Sequence, residues 1–588
     1  MLSTDDAVDA LRAHAYNNGK ALSTADLHAA LNASGGDLDA ASAYCGLPKR
    51  TTRFSVIAAA GATLSMTPKP SPISMFAVTP RQVEAIDKLS PLPQRAFANL
   101  KGLKDVEPMQ LMAGQPALSE LSEPAKAPSA SMQAGSLCVV GAVTAAAVVV
   151  HAMVTLQSPA SGHVGADPAI DTGDTAWMMV STMAVLLMIP GLGLFEAGLL
   201  RAKNSVSVLM QCFAGLALLS VLWFLVGFSL CFSPTDHGLV GGLEHVGLAG
   251  VGWKSPFAAA PTIPGVLFVA FQGMFAAITP LLCTGAFAER LKFEAFVAFI
   301  LAWSVVVYYP LCHWVWGGGW LAQLGVVDFA GGIVIHTSAG VASLVSAIML
   351  GPRHDFGSTG SSSALAPHNL PMAATGAGLL WFGWFAFNGG SSLGAGPLAA
   401  STLMTTHIAG STGAVAWLVL DWCRVGRPTF VGAINGAIAG LAGVTPASGF
   451  ITPASGFVVG LLCGVGSYGG VLLFKEKLGV DDALDVSSVH GLTGVLGSLL
   501  LGVYATSDVN PDGPDGMLSH ATHSLVQLEA QVFGVVVAAV WAAAGTWLVM
   551  AAVEKVFKGA RANRDVESRG LDRSQHGEMS YQDLTVLM

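Results

Sequence analysis

Charged residues are scarce in this chain of 588 residues. Asp, Glu, Lys and Arg make up 11% of the sequence, whereas they make up about 25% of a typical soluble protein. The Lys and Arg residues occur singly or in short pairs, so no basic patch for nucleic acid is expected. The 8 cysteines form no CxxC pair, which argues against a disulfide framework or a zinc site. We find no nucleotide-binding loop, nucleophile triad or metal cluster, and therefore expect neither an enzyme nor a bound cofactor or metal.

Apolar residues are abundant instead. They make up 53% of the sequence, and the mean hydropathy is +0.60. Segments of about 20 apolar residues are long enough to span a bilayer as helices. We therefore predict an all-α polytopic membrane protein that contacts lipid. Its core, residues 170–557, has eleven apolar segments, at 176–199, 207–231, 264–288, 293–314, 331–351, 370–392, 398–421, 430–446, 454–474, 485–505 and 525–555.

Positive charge is concentrated in alternate connections of this core. Lys and Arg follow the odd-numbered segments, as Arg201 and Lys203, Arg290 and Lys292, Arg353, Arg424 and Arg427, Lys475 and Lys477, and Lys555, Lys558, Arg561 and Arg564. Because cytoplasmic loops carry the excess of Lys and Arg, we predict that the core is N-out and C-in.

Two histidines lie inside apolar segments, and each follows an aspartate by eight residues. The pairs are Asp328 with His336 and Asp482 with His490, about 154 residues apart. Ionisable side chains in membrane spans usually mark a pathway for ions or protons. We interpret the recurrence as an inverted repeat of five plus five spans that contribute to one site, with the eleventh span outside the repeat.

The remaining regions are assigned from composition. Residues 1–50 form a small helical cytosolic segment, with a weak resemblance to ubiquitin-associated domains or simply a helical tail. Residues 51–134, rich in Ala, Pro and Ser, are a flexible linker or a targeting extension. Residues 135–156 are an extra membrane anchor or a cleaved targeting segment. Residues 558–588 are a cytosolic regulatory tail.

A series of motifs in unbroken order resembles the ammonium transporter family, which includes methylammonium permeases and Rhesus proteins. The resemblance covers about residues 170 to 585 and rests on 174–177 (DTAW), 190–204 (PGLGLFEAGLLRAKN), 271–290, 313–320 (HWVWGGGW), 328–340, 368–392, 440–450, 485–494 and 570–578 (GLDRSQHGE).

This resemblance implies a route for ammonium. The cation is recruited at an outer aromatic site and loses a proton, and the neutral form passes along a hydrophobic pore, because burying a bare charge costs far more than burying an amine. By resemblance, the recruitment site is Trp316, Ser391 and Phe275, the gate is Phe275 and Phe387, and the pore is lined by His336, His490 and Trp384.

Several other polar residues lie in or near the spans. Asp328 has a structural or a proton-handling role, and Asp482 is its counterpart in the second repeat. Asp485 is an additional acid that fits a helix cap. Thr445 is a weaker candidate near the pore, and Glu196, an acid within a span, has no assigned role.

The resemblance also implies a homotrimer whose tails couple neighbouring subunits, with Ser574 as a regulatory phosphorylation site and a cytosolic regulator acting through the tail or the N-terminal extension. We expect transport of ammonium or ammonia, with methylammonium as a further substrate, in the plasma membrane. Two alternatives remain, namely an ammonium sensor that signals through its extension and a Rhesus-type channel for neutral gas.

Overall fold

The computed structural model describes residues 169–235, 238–357, 365–519 and 525–581, and four residues near position 30. It divides into two compact units, residues 1–116 and 117–588. In the first unit, Ala29, Ala30, Asn32 and Ala33 are helical. The assignments for the rest of residues 1–50, for the linker at 51–134 and for the anchor at 135–156 lie outside the described residues.

Eleven helices in the second unit correspond to the eleven apolar segments. They are α1 Thr172–Leu199, α2 Ala202–Phe232, α3 Gly265–Phe287, α4 Phe293–Gln323, α5 Gly332–Leu350, α6 Leu370–Ser392, α7 Pro397–Val425, α8 Phe430–Val444, α9 Pro453–Lys477, α10 Ser487–Tyr504 and α11 Val526–Val556. The tail adds α12, Arg564–Arg569, and a helical turn, Asp572–His576. A small antiparallel hairpin, β1 Pro256–Phe257 and β2 Ala260–Pro264, precedes α3.

Ten of these helices are long and apolar enough to cross a membrane. Helix α8 is shorter, with 15 residues, and spans about 22 Å at 1.5 Å per residue, less than the ~30 Å of a hydrocarbon core. The fold is therefore a helical membrane protein, and the count of eleven full spans stays a prediction.

Side chains before several helices satisfy the free N–H groups of the first turn, as the sequence pattern requires. Asp171 accepts from the N–H of Asp174 before α1 at 2.8 Å. The side chain of Thr429 also accepts from a backbone N–H in the first turn of α8, and that of Thr452 accepts from one in the first turn of α9. These caps fix where the membrane helices begin.

Glycines allow the closest helix crossings. A methyl group on Gly376 of α6 would lie 2.2 Å from the backbone nitrogen of Phe195 in α1, and one on Gly440 of α8 would lie 2.1 Å from the carbonyl oxygen of Ala409 in α7. Backbones approach this closely only where side chains are absent. These crossings bring α1 against α6 and α7 against α8.

Buried ion pairs join several of the basic connections at one end of the bundle. Arg353 pairs with Glu289 at 3.1 Å and with Asp481 at 2.8 Å. Arg201 pairs with Glu289 at 2.8 Å, and Arg290 pairs with Asp481 at 3.1 Å. Burial alone would raise the pKa of Glu289 and of Asp481, but the neighbouring guanidinium groups outweigh it and hold each pKa below its usual value. We call these five residues the ionic cluster.

The tail docks at the same end as the ionic cluster. Asp572 accepts from the backbone N–H of Ser207 at 2.7 Å and of Val206 at 3.0 Å, in the first turns of α2. Gln575 accepts from the N–H of Phe293 at 2.7 Å, where α4 begins. Burial raises the pKa of Asp572, and these N–H bonds oppose the rise. The tail therefore supplies caps for two membrane helices.

Candidate functional site

Three side chains expected at the recruitment site line one cavity at the end of the bundle opposite the ionic cluster. Trp316, Ser391 and Phe275 surround a volume of about 260 Å³. The indole N–H of Trp316 donates to the carbonyl oxygen of Asp328 at 2.7 Å, which fixes the ring. The hydroxyl of Ser391 donates to the carbonyl oxygen of Phe387 at 2.8 Å. The ring faces and the hydroxyl lone pairs are thus available to a cation in this outer cavity.

The expected gate consists of two phenylalanines in contact. The ring centroids of Phe275 and Phe387 are 4.5 Å apart, and the rings are tilted by 64°. Their exposed fractions are 2% and 1%. Phe275 lines the outer cavity, and Phe387 lines the next cavity inward. The pair therefore separates the two cavities.

The two histidines meet beyond this pair. The Nδ1 atoms of His336 and His490 are 3.2 Å apart, a hydrogen bond between rings inclined by 21°. The cavity around them is small, at about 20 Å³, and its other lining residues are apolar or aromatic. A water molecule needs roughly 10–15 Å³, so this middle cavity has room for one molecule of that size. A hydrogen bond between two ring nitrogens requires a hydrogen on one of them.

Trp384 lies against both histidines. Its ring is stacked on His336 at 5.5 Å and on His490 at 6.3 Å between centroids. Its indole N–H donates to Thr445 Oγ1 at 3.0 Å, and Thr445 in turn donates to Leu441 O at 2.8 Å. Thr445 is fully buried and fixes the position of Trp384, whereas Trp384 lines the cavity.

Asp328 organises the start of α5. Its Oδ1 accepts from the N–H groups of Gly331 and Gly332 at 2.8 and 2.7 Å, and its Oδ2 from those of Ile333 and Val334 at 2.7 and 3.0 Å. Gly331 has φ +120°, a conformation that favours glycine. A carboxylate has about four lone-pair positions, and all four are in use here.

Asp482 occupies the matching position before α10. Its Oδ2 accepts from both the N–H and the hydroxyl of Ser487 at 2.7 Å, while its Oδ1 is buried without a hydrogen-bond partner. Asp485 forms an ion pair with Lys475 at 2.7 Å. The carboxylate at the start of α10 is therefore that of Asp482, whereas the side chain of Asp485 faces α9.

Glycine contacts hold the histidine-bearing helices together. A methyl group on Gly340 of α5 would lie 2.1 Å from the Cα of Gly491. One on Gly494 of α10 would lie 2.9 Å from the Cβ of His336. Each glycine follows a histidine by four residues, one helical turn later, so both histidines lie beside a backbone crossing.

Three polar residues of the cavities had no role in the sequence-based site. Gln272 lines the outer cavity, and its Oε1 is buried without a partner. It precedes Phe275 by three residues, and this helical spacing is the signal that points to it. Glu196 and Asn435 line a third cavity together with His490.

Ser574 lies away from these cavities. It is exposed in the tail turn, near the exposed residues Arg569 and Arg573. Within the described ranges, no group of three or more His, Cys, Asp or Glu is arranged to hold a metal ion.

Known proteins match this chain in sequence and in structure. A model of the Ammonium Transporter Family matches residues 176–581. Ammonium transporter 1 of Dictyostelium discoideum is 48% identical over 419 residues, which cover 71% of this chain and 89% of that protein. The crystal structure of Saccharomyces cerevisiae Mep2 is similar with a TM-score of 0.65 and 34% identity, over 71% of this chain and 93% of that chain. A structure described as a Sensor Amt Protein has a TM-score of 0.63 and 30% identity, over 69% and 98%. The chain belongs to the ammonium transporter family.

Proposed function

We propose that this protein moves ammonium across a membrane in three steps, namely capture of the cation in the outer cavity, loss of a proton, and passage of ammonia through the histidine cavity. One observation carries the proposal. A roomy cavity with cation-binding groups is separated by the Phe275–Phe387 pair from a small apolar cavity that contains two hydrogen-bonded imidazoles.

Capture follows from the groups in the outer cavity. The Ser391 O–H donates a hydrogen bond to Phe387 O, so the lone pairs of the hydroxyl oxygen accept from an N–H of ammonium. The unpartnered Oε1 of Gln272 provides a second acceptor. The fixed face of Trp316 adds a cation–π contact worth about 0.5–2 kcal/mol. Together these groups replace part of the water that the cation loses.

Loss of the proton follows from the middle cavity. Its lining includes Leu192, Ile278 and Leu380, which offer a bare cation no acceptor. A neutral imidazole has one donor and one acceptor nitrogen. The ring that donates from Nδ1 therefore has an acceptor at Nε2. The ring that accepts at Nδ1 has an N–H donor at Nε2. The pair thus presents one donor and one acceptor to ammonia, which can use both.

The aspartates have mainly positioning roles in this scheme. Asp328 uses all its acceptor positions on α5, which favours the structural over the proton-handling alternative. Asp482 orders the start of α10 through Ser487. Thr445 positions Trp384, which in turn stacks against both histidines. Asp485 ties α10 to α9 through Lys475.

Orientation and assembly complete the proposal. The ionic cluster and the tail lie at the end that carries the basic connections, which supports an N-out, C-in core with five-plus-five inverted repeats. We also propose a homotrimer in the plasma membrane, with methylammonium as a further substrate. A cytosolic regulator acts through the tail, where a phosphate on the exposed Ser574 would meet Arg569 and Arg573. Uptake unchanged by Ser574→Asp would contradict this regulatory role.

A sensor is the second candidate function, because the chain is similar to a protein described as a Sensor Amt Protein. Expressing the full chain in yeast without ammonium permeases distinguishes transport from sensing. Growth on low ammonium supports transport, whereas a folded protein that permits no growth supports sensing. A Rhesus-type channel for neutral gas is a third possibility, and it predicts ammonium flux without current in oocytes.

The capture step has a direct test. Trp316→Leu removes the cation–π contact and should raise the ammonium concentration for half-maximal current about 2- to 30-fold. Trp422→Leu is the matched control, since Trp422 is 64% exposed on α7. An equal half-maximal ammonium concentration in both variants would refute cation capture at Trp316.

A further inference from the structure

Glu196 is a buried acid that the transport steps above leave unused. It lies near the inner end of α1 and is 2% exposed. Its Oε2 accepts from the Thr284 hydroxyl at 2.7 Å, and the backbone N–H of Gly285 also donates to the carboxylate. Among the described residues, no basic side chain lies within 4.0 Å of it. Its hydrogen-bond donors are neutral.

The carboxyl group of Glu196 lies beside the pore. Glu196, Asn435 and His490 are the polar side chains that line the third cavity, and the other lining residues are apolar. The volume is about 10 Å³, room for on the order of one water molecule. His490 and Leu192 line both this cavity and the middle cavity, so the third cavity continues the path from the histidines toward the ionic cluster.

The ionisable groups around Glu196 give it no compensating charge. Asp482, on the loop before α10, is an acid, and the nearby thiols of Cys212 and Cys283 are buried. A buried carboxylate without a counter-ion is stabilised by hydrogen bonds or by taking up a proton. Among the residues that line the third cavity with Glu196, the basic side chain is the imidazole of His490. Transfer of a proton from a protonated His490 to the Glu196 carboxylate neutralises both buried charges.

We propose that Glu196 accepts the proton that the histidine pair removes from ammonium, through one water molecule in the third cavity. An N–H bond of the imidazolium breaks and an O–H bond forms on Glu196. Glu196 then releases the proton to water at the inner end. Ammonia and the proton therefore leave on the same side, and each cycle moves one net positive charge. This inference rests on the proposed transport function.

The experiment uses the full chain in proteoliposomes, with ammonium-evoked current as the readout in H2O and D2O. Glu196→Gln keeps the size of the side chain but cannot accept the proton. Its current should fall about tenfold or more, while the half-saturating ammonium concentration changes less than twofold. The solvent isotope effect of the unmodified protein should disappear from the residual current. Glu244→Gln, the same change on an exposed outer loop, should have no effect.

Glu196→Asp distinguishes proton transfer from structural support, because it retains the carboxyl group on a shorter side chain. It should keep a larger current than Glu196→Gln and retain the isotope effect. Current and isotope effect unchanged in Glu196→Gln would overturn the inference, and so would equal losses in both variants that parallel a loss of thermal stability. A lack of current and of uptake in the unmodified protein would instead refute the proposed function, and the inference with it.

Discussion

Replacing Gly340 with alanine places a methyl group between the two histidine-bearing helices. The new Cβ would lie 2.1 Å from the Cα of Gly491 and 2.3 Å from its nitrogen. Carbon atoms in contact are about 3.5 Å apart at the closest, so α5 and α10 must separate by about 1.4 Å. The contact is backbone against methyl, and no side chain can rotate away to relieve it.

The separation acts directly on the histidine pair. Gly491 follows His490 in the chain, and Gly340 is one turn after His336. If the 3.2 Å between the Nδ1 atoms grows by the same amount, it reaches about 4.6 Å and the hydrogen bond is lost. A hydrogen bond between neutral groups is worth about 0.5–1.5 kcal/mol, so transport should fall about 2- to 13-fold.

The assay is ammonium-evoked current in proteoliposomes with a graded series of glycine-to-alanine changes. Gly378→Ala is the control, because nothing lies within 4 Å of its added Cβ. Gly491→Ala, with its nearest contact at 3.0 Å, should have an intermediate effect. A Gly340→Ala protein that folds and carries the current of the Gly378→Ala protein would refute the reasoning.

Three further predictions concern stability, measured by thermal or denaturant unfolding in detergent. Thr445→Val leaves the indole N–H of Trp384 buried and unpaired, which should lower the free energy of unfolding by about 1–3 kcal/mol. Thr445→Ser keeps the hydroxyl acceptor and should therefore retain most of this stability. Arg353→Met leaves Glu289 and Asp481 without a main partner and should cost about 3–5 kcal/mol, so an unchanged midpoint would contradict the role of the ionic cluster. Because Glu289 and Asp481 have lowered pKa values in the folded protein, their stabilisation is present above their ordinary values of 4.5 and 3.8 and is lost as the pH falls below them. Glu289→Gln should therefore lose less stability than the unmodified protein between pH 5 and pH 3, and an identical loss would contradict this assignment.

The eight-residue spacing of aspartate and histidine is predictable from sequence because it follows from local geometry. Asp328 accepts N–H groups in the first turn of α5, and His336 is four residues after the helix begins at Gly332. Asp482 likewise accepts from the N–H of Ser487, where α10 begins, and His490 is three residues further on. Local hydrogen bonds of this kind leave a signature in the sequence, and so do the apolar segments that became helices.

Long-range partners leave no such signature. The hydrogen bond from Trp384 to Thr445 joins residues 61 apart, and the one from Arg353 to Asp481 joins residues 128 apart. The sequence predicted Thr445 near the pore but did not predict its hydrogen bond to Trp384. The apolar segment at 430–446 predicted the position of α8, which runs from Phe430 to Val444. Packing decides the long-range contacts.

The docking of the tail has a consequence for synthesis of the protein. The N–H groups of Ser207 in α2 and of Phe293 in α4 donate to Asp572 and Gln575, which follow them in the chain by 365 and 282 residues. Until translation ends, those N–H groups depend on water at the membrane surface. The inner ends of helices that entered the membrane early are therefore completed last. A chain that is cut before residue 570 would insert all its spans and still lack these hydrogen bonds at the inner ends of α2 and α4.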